Sequence, residues 1–208
     1  HLGSRAVGAA GLVMFEATAV TPEGRISPWD LGIWSDSHIS SYLPIAEFIA
    51  SQGATPGIQL AHAGRKASHD RPWSGGKPLS ENEGGWQVVG PSPIPFNTED
   101  PTPHELTIEE IHQIKDAFGS AAKRAVESSI KVVELHFAHG YLGFEFLSPL
   151  SNQRTDMYGG SFENRTRFPL EIVDRVRDSI PDSMPLFVRI SSTEYMDEGW
   201  GIEDYVLL

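Results

Sequence analysis

Cysteine is absent from the 208 residues. That excludes a disulfide scaffold, a thiolate-bound metal and a cysteine nucleophile in this chain. It fits a reducing compartment, so a cytoplasmic setting is expected. Basic residues are scarce: 16 Lys and Arg stand against 28 Asp and Glu, a formal net charge of −12. A surface this acidic repels nucleic acid and anionic lipid, and neither is an expected partner. No apolar run approaches the roughly 20 residues that span a membrane, and no signal-peptide pattern opens the chain. Three short motifs are also missing. Without Gly-x-Gly-x-x-Gly after a strand, a P-loop or Gly-x-Ser-x-Gly, nothing indicates a dinucleotide-binding domain, phosphoryl transfer or a serine hydrolase.

What is present alternates. Apolar, β-branched runs at 11–20, 55–64, 130–138 and 185–191 read as strands. Between them, 38–54 carries Tyr42, Ile45, Phe48 and Ile49 at helical spacing, with Gly53 as a stop. The stretch 106–128 has Thr107 and Glu110 as a capping box, Leu106 and Ile111 as a staple, and one apolar face. A helix is expected over 161–180, with Pro169 predicting a kink or a late start, and another begins in 201–208. Strands alternating with helices imply parallel βαβ units. The Pro-, Gly- and Trp-rich segment 68–103 reads as a long loop or lid.

In such folds chemistry gathers at the carboxyl ends of strands. Here those ends hold Glu16-Ala17-Thr18, then Gln59 with His62, Arg65 and Lys66, then His136, His139 and Tyr141, then Arg189, Ser191 and Ser192. Four polar strand ends on one rim are the pattern of a (β/α)8-type active face. His136-x-x-His139 admits three readings. The histidines are structural and bonded to loop backbone; or they bind a metal with Glu134 or His62 as third ligand; or they are paired donors for a developing oxyanion, with Tyr141 as proton source.

The run "HFAHGYLGFEFLSPLSNQRTDMYGGSFENRTRFPLEIV" (136–173) resembles the Old Yellow Enzyme flavin oxidoreductases. "EATAVTPEGR", "DLGIWSD", "GIQLAHAGRKA" and "LFVRIS" fit the same family in the same order, and the Gln-Leu-Ala-His-Ala-Gly-Arg-Lys run is similar to its class III branch. The resemblance implies a (β/α)8 barrel holding FMN, reduced by NADPH or NADH, that reduces the C=C bond of α,β-unsaturated carbonyl compounds. It implies a small-molecule enone or enal as partner and leaves a homo-oligomer open. By the same resemblance His136 and His139 hydrogen-bond the substrate carbonyl and Tyr141 donates the proton. Gln59 meets the flavin pyrimidine edge, Ala17 contacts the flavin through its backbone, and Arg189 lies near flavin N1 and O2. The Asn-x-Arg-x-Asp and Glu-Asn-Arg residues are expected to be structural.

The chain departs from the pattern in extent. A barrel has eight strands and typically about 250 residues. The four strands here match the family's second to fifth, so the expected fold class is α/β, a partial (β/α)8 TIM barrel with about four βα units. Residues 1–208 then form a single incomplete domain, with two open sheet edges and no stable monomer of its own. The expectation is a segment of a longer chain or a truncated, non-catalytic remnant. Ser129 stands where the family places glycine after the long helix, and Phe137 where it places a small residue.

Overall fold

The expected alternation produces a parallel sheet. The computed structural model describes residues 1–208. In chain order it contains α1 (Leu2–Val7), β1 (Leu12–Ala19), α2 (Ile39–Ser51), β2 (Thr55–Ala61), β3 (Val89–Gly90), β4 (His104–Glu105), α3 (Ile108–Glu127), β5 (Val132–Phe137), α4 (Leu142–Leu147), α5 (Phe162–Arg177), β6 (Leu186–Ile190) and α6 (Ile202–Leu207). The main sheet runs β1-β2-β5-β6, every pair parallel. β3 and β4 form a separate parallel pair.

Period-two alternation divides the main strands between two faces. Val13, Phe15, Ile58, Leu60, Val133, Leu135 and Phe137 face the helices. They share one core with Ile49 of α2, Ile111, Ile114 and Phe118 of α3, and Phe168, Ile172 and Val176 of α5. The opposite face carries Met14, Gly57, Gln59, Glu134, His136 and Arg189. Register puts Gln59 beside both Ala17 and Glu134, and His136 beside Arg189. The β6 edge is open: Phe187, Val188 and Ile190 are 41–44% exposed.

Most local signals act as the sequence suggests. At the start of α3, the Glu110 amide donates to Thr107 Oγ1 (3.2 Å) and the Thr107 amide to Glu110 Oε2 (2.7 Å), while Leu106 and Ile111 are buried together. Ser129 is left-handed at φ 62°, the conformation for which glycine is favoured. Phe137 points to the helices and packs against Gly143, so it does not narrow the opposite face.

Other expectations need correction. α5 starts directly after its Ser161 cap and runs through Pro169, so there is no late start. In α2, Tyr42, Ala46 and Ile49 are the buried residues, whereas Ile45 and Phe48 line a groove of about 750 Å³ bounded by α1 and the β1 edge. Of the three aromatic residues in 68–103, Trp73, Trp86 and Phe96, only Trp86 packs firmly. Its indole N–H donates to the Glu23 carbonyl at 2.8 Å, and it packs against Ala63, Ala67 and Val88. Trp73 is 80% exposed, and Phe96 lies half-open under the Lys66 ammonium. No helix is long and apolar enough to cross a membrane.

Candidate active site

The parallel arrangement carries all four strand ends to one rim. There Ala17, Gln59, His136, His139, Tyr141 and Arg189 line a single cavity of about 570 Å³, together with Met14, Glu16, Ile26 and Glu134.

β5 ends at Phe137 and the chain turns sharply. His139 and Gly140 are both left-handed, at φ 59° and 70°, and the Tyr141 amide closes the turn onto the Ala138 carbonyl. A non-glycine residue there costs on the order of 1 kcal/mol, and such strain collects at functional sites. Two distant groups hold the turn. The His139 amide donates to Ser191 Oγ (2.9 Å), and Lys66 Nζ donates to the His139 carbonyl (2.8 Å). The three rings lie 4.9 to 6.2 Å apart, centroid to centroid.

Protonation follows from this packing. His136 Nδ1 accepts a hydrogen bond from the Ala138 amide (3.2 Å), so its neutral ring carries the proton on Nε2. Burial, then His139 and Arg189, push the His136 pKa down to about 4. Burial, Arg189 and Lys66 also lower that of His139. Burial and the nearby Asp30 carboxylate raise that of Tyr141. Near neutral pH the cluster therefore presents two neutral imidazoles and one protonated phenol, all able to donate.

No group of three His, Asp or Glu side chains stands close enough to hold a metal ion, although His62 Nε2 has no hydrogen-bond partner. Glu134 Oε1 accepts from Gln59 Nε2 at 2.6 Å, and His62 Nδ1 accepts from the Gly64 amide at 3.1 Å. Gln59 keeps its carbonyl oxygen and one N–H free. The Asn-x-Arg-x-Asp residues brace the loop behind the site: Asn152 Nδ2 donates to the Phe146 and Tyr158 carbonyls, and buried Arg154 to those of Pro91 and Leu106. Asn164 donates to the Asp156 and Gly159 carbonyls, and Arg165 to that of Leu147. Sequence reasoning puts Lys66 and Ser191 at strand ends but assigns them nothing. The only signal was that clustering of polar residues, since their contacts cross 73 and 52 positions.

The chain matches the NADH:flavin oxidoreductase / NADH oxidase family over residues 1–207. It is 50% identical over 206 residues to an NADPH dehydrogenase of Bacillus velezensis, an alignment covering 99% of this chain and 56% of that protein. Among solved structures, a 2-naphthoyl-CoA reductase superposes with a TM-score of 0.87 at 31% identity, covering 99% of this chain and 31% of that one. An Old Yellow Enzyme from Pichia sp. gives 0.82 at 29%, covering 97% and 52%. The chain thus spans about half the length of the curated relatives it matches, and its parallel sheet is part of a (β/α)8 barrel. Sheet, rim and matches over nearly every residue lead to one assignment: the chain belongs to the NADH:flavin oxidoreductase / NADH oxidase family.

Proposed function

We propose that this chain supplies the proton-donating side of an FMN-dependent NAD(P)H oxidoreductase, an ene-reductase for α,β-unsaturated carbonyl compounds. The observation that carries the reading is the cluster of His136, His139 and Tyr141, close together and neutral, on the wall of one open cavity.

The donor set fits FMN. Gln59 offers a free carbonyl oxygen and an N–H in one plane, matched to an imide edge. Arg189 lines the same cavity and has no ion-pair partner. Ala17 would meet the ring system through its backbone. Bound FMN supplies two-electron transfer between the nicotinamide and the alkene. Arg189 places positive charge where it favours the electron-rich form of that ring.

The remaining work falls to the chain's own groups. His136 Nε2–H and an N–H of His139 donate to the substrate carbonyl oxygen, drawing electron density away from the alkene. Such donors act where negative charge develops, without reorganising during the reaction. The Tyr141 hydroxyl delivers its proton to the carbon next to the carbonyl, and its raised pKa keeps that proton in place until charge builds. Ile26 and Met14 provide apolar wall.

The test uses the full-length protein. It should purify yellow, bleach anaerobically on addition of NADPH and recover colour with cyclohexenone. A folded, colourless preparation that takes up no added FMN contradicts the proposal.

A further inference from the structure

One ionisable group buried beside the candidate site has no part in that chemistry. Glu145 lies in α4, one turn past Tyr141, with no exposed surface. Its Oε1 accepts from the Arg65 amide at 2.9 Å, and its Oε2 has no hydrogen-bond partner. Two glycines make room for it. A Cβ on Gly64, left-handed at φ 60°, would collide with both carboxyl oxygens, and one on Gly90 would press on Oε2. The neighbouring cations are turned elsewhere: the Arg65 guanidinium donates to the Ile94 and Pro95 carbonyls, and Lys66 to that of His139.

We propose that Glu145 is a positioning residue: its buried carboxyl fixes the Gly64–Lys66 turn and, through the Lys66 ammonium, the loop that carries His139 and Tyr141. The contacts form a closed ring. Glu145 Oε1 holds the Arg65 amide, and the next residue, Lys66, holds the His139 carbonyl and stands 5.5 Å from the centre of the Tyr141 ring. The Glu145 amide donates back to the Tyr141 carbonyl, and the Leu142 amide donates to the His62 carbonyl at the start of the turn.

The ring has an electrostatic condition. Burial lifts the Glu145 pKa to about 8, against the pull of Arg65 and Lys66, so the carboxyl is neutral near pH 7. Lys66 in turn feels Glu145, Arg65 and Asp100, and buried His62 feels Glu23. The folded pKa of Glu145 is raised above its ordinary value of 4.5. Its contribution to stability is therefore complete below about 4.5 and is lost as pH rises through about 8. Above that point a carboxylate in the pocket draws the Lys66 ammonium from the His139 carbonyl and loosens the loop.

The consequence for turnover rests on the oxidoreductase reading; the state of the carboxyl does not. In the full-length, flavin-loaded protein, infrared difference spectra between neutral and alkaline pH should show loss of a protonated-carboxyl band with a midpoint near 8. The His139 ring resonances should shift with the same midpoint. Both changes should be missing in Glu145→Gln, whose amide keeps the acceptor and stays neutral. Wild-type enone reduction should lose activity along that same limb. Glu145→Gln should lack the limb and keep the neutral-pH rate within about twofold, whereas Glu145→Leu loses about tenfold at every pH. A limb near pH 8 that survives in Glu145→Gln, or a wild-type protein without the carboxyl band, overturns the proposal. If the protein reduces no enone, the oxidoreductase reading fails, while the infrared and His139 titrations still decide the role of Glu145. A wild-type protein without that band overturns the proposal whether or not a variant folds.

Discussion

The neutral ring of His136 carries its proton on Nε2 because the Ala138 amide occupies Nδ1. A ring fixed in this way, lining the cavity, has one tautomer rather than two. Tyr141 holds the other proton the proposed reaction needs. Replacing it with Phe removes that proton and little volume, so Tyr141→Phe should lower steady-state enone reduction by about 10²-fold or more. The yellow colour and the rate of flavin reduction by NADPH should hardly change, which stopped-flow absorbance will show. Acid stability follows from the same histidines. The folded pKa values of His136 and His62 lie near 4, below the ordinary 6.5, so the unfolded chain binds more protons between those values. Stability should decline as pH falls from 6.5 toward 4, seen as a falling urea midpoint.

At the scale of elements, short turns decide more than long helices. Ser129 is left-handed directly after α3, so Ser129→Gly should relieve strain and stabilise by about 1 kcal/mol in chemical denaturation. Gly64 is the opposite case. Gly64→Ala adds a left-handed penalty to a collision with the Glu145 carboxyl and should destabilise by roughly 2–4 kcal/mol. These turns also show what was legible in the sequence. Thr107 and Glu110 announce α3 because a cap is a contact between near neighbours. α1 and α4, six residues each, have no side-chain cap and were not foreseen, whereas the equally short α6 has Asp204 closing on the Gly201 amide. Ile45 and Phe48 had helical spacing but faced a groove, because spacing names a face and not what covers it. The six expected site residues could be placed on one rim because parallel strands bring their carboxyl ends together. Lys66 and Glu145 could not be given roles, since the Glu145 contact with Arg65 joins residues 80 positions apart.

Across the whole molecule, the two edges of the sheet are unequal. β1 packs against α1, whereas β6 presents Phe187, Val188 and Ile190 to solvent. Exposed strand edges and contiguous apolar surface invite association. Residues 1–208 produced alone should therefore self-associate and bind hydrophobic dyes, and light scattering with dye fluorescence will report it. The full-length protein, at the relatives' size, should bind far less of the dye.

The loop of His136, His139 and Tyr141 is held by Lys66 and Ser191, and the cavity wall is completed by Arg189. Everything that shapes the donor cluster is thus encoded between residues 14 and 191. On the ribosome, in a chain of the relatives' length, every residue of that cluster is synthesised while the far side of the barrel is still being translated. On the proposed reading, the proton-donating wall and the residues that would meet the flavin ring are therefore laid down before the strands that close the barrel. A slow codon stretch soon after Ser191 would give the half-made site time to set.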